Sequence, residues 1–127
     1  MGGLTYDDLM IVIHGNVIDD DANHLSGSDS HVTIGETGSW TSFNPAYSDT
    51  AIFLAGGSNQ LSNFGQIVAQ HTIAVLSIAH NAVVNTGVIE GASGVFMGLS
   101  GGAGDQLVNS GTISANDYYG RLRGRAL

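Results

Sequence analysis

Asp19-Asp20-Asp21 lies between His14 and His24, the densest set of oxygen and nitrogen donors in the chain. Adjacent carboxylates repel one another, and a hard divalent cation such as calcium relieves that repulsion by taking their oxygens as ligands. The same residues suit a solvated acidic loop, because successive side chains of an extended segment do not converge on one ion. A second constellation is aromatic. Trp40, Phe43 and Tyr47 stand with Asp49 within ten residues, around the single proline, Pro45. Flat aromatic faces can stack on sugar rings, and an exposed loop does not need such residues for its own folding, so these four are candidates for carbohydrate binding.

Other chemistries find little support. Without Cys or Lys the chain has no thiolate zinc site and no lysine base or Schiff base. His71 and His80 have no Ser, Cys or carboxylate at a nucleophile-like spacing, and no Walker or nucleophile-elbow motif occurs. These features point away from an enzyme, and no cofactor other than calcium is expected. All 11 acidic residues precede position 121, whereas the three cations, Arg121, Arg123 and Arg125, crowd the last seven residues. A net charge of -8 argues against a nucleic-acid partner. No apolar run approaches the roughly 18 residues of a membrane span, and Met1-Gly2-Gly3-Leu4 does not begin like a signal peptide.

What must position the candidates is a repeat. The chain has 127 residues, of which 19 are Gly, and five of these recur at spacings of 23, 27, 22 and 24: Gly15, Gly38, Gly65, Gly87 and Gly111. Each has an apolar residue four places earlier (Ile11, Ile34, Leu61, Val83, Leu107) and another two places later (Val17, Trp40, Ile67, Ile89, Ile113). Trp40 is thus a core candidate as well as a ligand candidate. Asn63, Asn85 and Asn109 precede the last three glycines by two places, where the first two copies have Ile13 and Glu36. The long spacing is assigned to a loop insertion at 41–49.

Short apolar runs rich in β-branched residues predict two or three strands per period, separated by tight turns. Such strands are stable only when stacked coil on coil at about 4.8 Å as parallel sheets around a shared interior. The glycine column then marks a turn that needs either positive φ or close backbone approach. The asparagine column can pass amide hydrogen bonds from coil to coil. The expectation is one all-β domain over 1–127, a β-solenoid of about five coils of 22 to 27 residues, with 114–127 as a C-terminal cap or tail.

The segments 49–67 and 99–113, with Asn63-Phe64-Gly65-Gln66-Ile67 and Asn109-Ser110-Gly111-Thr112-Ile113, resemble repeats of secreted bacterial β-helix proteins, including autotransporter passengers and haemolysin-type calcium-binding proteins. The likeness covers about residues 11 to 114. It implies a right-handed parallel β-helix and a secreted or cell-surface setting. The haemolysin-type motif would make Asp105 a calcium ligand, but in Gly101-Gly102-Ala103-Gly104-Asp105 the carboxylate arrives one place early.

The functional expectation is a structural or adhesive module of a secreted or surface protein. It would associate with copies of itself through its coil ends, or belong to a larger array. The alternative is a calcium-dependent carbohydrate-binding module, with polysaccharide cleavage behind it.

Overall fold

The computed structural model describes residues 10–19, 23–25, 28–42, 50–54, 56–70, 73–77, 80–97 and 104–115. Within them the chain forms strands and turns and no helix. In chain order the strands are β1 (Met10–Ile13), β2 (Asn16–Asp19), β3 (Asn23–Leu25), β4 (His31–Ile34), β5 (Ser39–Ser42), β6 (Thr50–Leu54), β7 (Gln60–Asn63), β8 (Gln66–Ala69), β9 (Ile73–Ser77), β10 (Ala82–Asn85), β11 (Val88–Gly91), β12 (Ser93–Phe96), β13 (Gln106–Asn109) and β14 (Thr112–Ala115).

Every third strand joins the same sheet. The first sheet runs β1-β4-β7-β10-β13, the second β2-β5-β8-β11-β14 and the third β3-β6-β9-β12, with all pairings parallel. The stacked coils make a β-solenoid with three strands per period.

Alternation along each strand builds the interior. In β4, Val32 and Ile34 are buried while His31 is exposed, and in β8 Ile67 and Ala69 are buried while Gln66 is exposed. Register stacks Ile11, Val32, Leu61, Val83 and Leu107 in one inward column and Val17, Trp40, Ile67, Ile89 and Ile113 in another. The third sheet adds Ile52, Val75 and Val95. Full burial of each large aliphatic side chain is worth about 1.5–3 kcal/mol, which short strands cannot obtain unstacked.

The glycine column lies at the corner between first and second sheets, and close approach, not positive φ, is the reason at Gly38, Gly65, Gly87 and Gly111. A Cβ on Gly65 would fall on the carbonyl oxygens of Gly35 and Gly38, one on Gly87 on that of Gly65, and one on Gly111 on that of Gly87. None of these glycines has positive φ.

Register corrects two assignments. Ile34 stacks on Ile13 and Asn63, so it belongs to the asparagine column, and Val32 takes the place assigned to Ile34 in the apolar one. Glu36 lies in a corner of four residues between β4 and β5, where the corner between β7 and β8 has two. Two residues assigned to the insertion lie in a strand. Thr41 and Ser42 belong to β5, and residues 43–49 lie outside the described residues. Likewise Ser114 and Ala115 belong to β14, and the tail that follows lies outside.

Candidate functional site

The corner that leads into the first sheet carries a column of left-handed residues. Asp29, Ser58 and His80 have φ near 59°, 58° and 59°, and Gly104 has 86°. That bend reverses the chain, and each such residue is followed by an inward polar side chain: Ser30, Asn59, Asn81 or Asp105. The next residues, His31, Gln60, Ala82 and Gln106, begin β4, β7, β10 and β13 and stack in register. Between the two outer columns lies a polar groove of about 250 Å3, lined among others by His31, Ser58, Gln60, His80 and Gln106. His80 packs its ring against Gly104, where a Cβ would lie 2.5 Å from Nδ1.

The inward column beneath the groove is a ladder. The Ser30 N–H donates to Asn59 Oδ1 at 3.0 Å, the Asn59 N–H to Asn81 Oδ1 at 3.0 Å, and the Asn81 N–H to Asp105 Oδ1 at 2.8 Å. Asn81 Nδ2 donates to the Leu54 and Gly56 carbonyls and to Ser77 Oγ, and the Ser77 hydroxyl donates to Asp105 Oδ1 at 3.0 Å. Buried backbone groups at a sharp corner need partners, and these side chains supply them across the coils.

A second ladder runs at the next corner. Asn63 Nδ2 donates to Asn85 Oδ1 at 2.7 Å, and Asn85 Nδ2 to Asn109 Oδ1 at 2.8 Å. The same donors reach the Val88 and Thr112 carbonyls at 2.9 and 3.1 Å. The ladder ends where Ile34 replaces an amide: Asn63 Oδ1 is buried without a partner among the described residues.

The expected site residues fare differently. Trp40 is 2% exposed inside the core column, so its ring cannot stack on a sugar; this corrects its assignment as a ligand residue. Phe43, Tyr47 and Asp49 lie outside the described residues. Asp19 is the last residue of β2 and pairs in register with Ser42, while Asp20 and Asp21 lie outside the description. The Asp105 carboxylate accepts two hydrogen bonds as a rung of the first ladder, which gives it a role in the scaffold. Among the described residues no three His, Asp or Glu side chains gather as metal ligands would.

Sequence reasoning missed the first ladder and the left-handed column. A signal was present: Asn59, Asn81 and Asp105 each stand six residues before a corner glycine, Gly65, Gly87 and Gly111. The left-handed positions carry Asp, Ser and His in three of four cases, so composition did not reveal them.

No known family pattern, curated protein or solved structure matches the chain. The functional reading therefore rests on this geometry. The groove offers amide, imidazole and hydroxyl groups, which can hydrogen-bond a hydroxylated ligand.

Proposed function

We propose that this chain is a structural or adhesive β-solenoid module of a secreted or surface bacterial protein, associating with other copies through its coil ends. The carrying observation is that inward polar side chains bind neighbouring coils to one another: Asn59, Asn81 and Asp105 in one ladder, Asn63, Asn85 and Asn109 in the other. Polar groups spent on the scaffold suit a rigid spacer. The finer architecture we propose is a right-handed helix of about five coils. Five strands in each of the first two sheets support the number, and the strong preference of parallel crossovers supports the hand. The secreted or surface setting is supported by the resemblance of segments 49–67 and 99–113 to bacterial β-helix repeats.

Thermal melts with EDTA, calcium and magnesium test this reading. A spacer melts at one temperature in all three, whereas a calcium site occupied at a hundred times its dissociation constant would add about 2.7 kcal/mol. The polar groove favours a second reading, carbohydrate binding. In that reading calorimetry detects glycan binding that His80→Ala weakens; calcium dependence would further implicate Asp19, Asp20 and Asp21.

A further inference from the structure

We propose that copies of this chain stack end to end, with β13 and β14 of one copy pairing in parallel with β1 and β2 of the next, so that the Gly111 carbonyl of the first occupies the space beside Gly15 of the second. This deepens the self-association in the reading above and rests on it.

The first observation is Gly15. At Gly38, Gly65, Gly87 and Gly111 a carbonyl of the preceding coil lies where a Cβ would be, which is what requires glycine there. Gly15 stands at the same corner with nothing within 4 Å among the described residues. The corner His14-Gly15 also has the two-residue length of Phe64-Gly65, Thr86-Gly87 and Ser110-Gly111. It therefore fits onto Gly111 as Gly111 fits onto Gly87.

The second observation is the hydrogen-bond pattern at the two edges. In each inner corner the glycine carbonyl accepts the N–H of the residue after the next glycine: Gln66 to Gly38 at 3.1 Å, Val88 to Gly65 at 2.9 Å, Thr112 to Gly87 at 2.9 Å. The Asn85 carbonyl likewise accepts the Ser110 and Gly111 N–H groups. Continued by one rung, the Gly111 carbonyl receives Asn16 N–H of the next copy and the Asn109 carbonyl receives its His14 and Gly15 N–H groups. Asn109 Nδ2 then meets the Asn16 carbonyl, as Asn85 Nδ2 meets that of Thr112.

The third observation is apolar. Leu107 is 43% exposed, although it belongs to an inward column, and with Val95, Asn109 and Ile113 it lines a hollow of about 260 Å3 at this end. At the opposite end Ile11 and Val17, members of the same two columns, are only partly buried. Stacking sets Ile11 on Leu107 and Val17 on Ile113. Neither pair of edge strands carries Lys, Arg or Pro, the residues that commonly block edge pairing.

Two variants and a cross-link test the proposal in the full chain. Gly15→Val is expected to leave the monomer's melting midpoint within about 2 °C, since its Cβ meets none of the described residues within 4 Å, while weakening association in sedimentation velocity by more than about tenfold. Because the chain has no cysteine, His14→Cys and Ser110→Cys proteins can be mixed. Adjacent strands lie about 4.8 Å apart, within disulfide reach, so the mixture is expected to cross-link 14 to 110 while neither protein cross-links with itself. The proposal is overturned if the wild type stays monomeric at all concentrations, if cross-links form 14 to 14 or 110 to 110, or if Gly15→Val lowers the monomer's melting midpoint, which would mean the chain itself fills that space. Gly65→Val is the control for the fold: its side chain meets the Gly38 carbonyl in any stacked solenoid. If it is tolerated, the coil-stacking reading fails instead of the assembly.

Discussion

Replacing Asn85 by alanine removes the middle rung of the second amide ladder. Asn85 is fully buried, accepts from Asn63 Nδ2 at 2.7 Å, and donates to Asn109 Oδ1 at 2.8 Å, to the Thr112 carbonyl at 3.1 Å and more distantly to the Gly87 carbonyl at 3.3 Å. At about 1 kcal/mol net for each of the three shorter bonds, the loss is about 3 kcal/mol. For a chain of this size that lowers the melting midpoint by about 12 °C. Asn63→Ala is expected to cost about 2 kcal/mol, because Asn63 only donates in the ladder and its Oδ1 has no partner among the described residues. Asn109 is exposed, and water replaces what it loses, so Asn109→Ala is expected to cost less than about 1 kcal/mol. Urea and thermal denaturation followed by far-ultraviolet circular dichroism give the three values. A cost at Asn85 no larger than at Asn109 would refute the claim that the buried amides bind the coils together.

Asp105→Asn keeps an oxygen for the Asn81 N–H and the Ser77 hydroxyl, so its stability is expected to stay within about 0.5 kcal/mol of wild type, whereas Asp105→Ala loses about 2 kcal/mol in urea titrations. If Asp105→Asn instead abolishes a calcium-induced rise in the melt, its carboxylate is a ligand after all. Ser58→Gly relieves a non-glycine residue at φ 58° and is expected to raise stability by about 0.5–1 kcal/mol, while Ser58→Val lowers it; equal melts would contradict the left-handed corner. Trp40, the single tryptophan, is expected to emit at short wavelength, to resist acrylamide quenching and to ignore added sugars, and Trp40→Ala to cost about 3–5 kcal/mol. Strong quenching would place the ring outside the core.

The period and the inward column from Val17 to Ile113 were legible in the sequence because one glycine per corner punctuates every coil and β-branched residues follow it at a fixed distance. The place of Ile34 was not. The corner from Gly35 to Gly38 is two residues longer than the corner at 64–65, so counting back from Gly38 reaches Ile34 instead of Val32. In a strand a slip of two leaves the same face inward, and both residues are apolar, so the pattern could not expose the error. The left-handed column was hidden for a different reason. A bend held by neighbouring coils can impose positive φ on Asp29, Ser58 and His80, so glycine is not needed to mark it. The candidate ligands were chosen by residue type, and type alone does not show which way a side chain faces. Register and burial turned Trp40 into core, and hydrogen bonding made Asp105 a rung.

The most direct test of the stacked-coil account is one comparison within the glycine column, made at concentrations where the protein is monomeric. Gly15→Ala, Gly38→Ala, Gly65→Ala and Gly87→Ala differ only in whether a preceding carbonyl lies at the new Cβ. Denaturant unfolding should show Gly15→Ala neutral or more stable by about 0.4–1 kcal/mol, since its backbone is compatible with alanine. The other three should each lose about 1–3 kcal/mol or more through the backbone clash. Four equal values would contradict the account, because the coils could not then be stacked carbonyl on glycine.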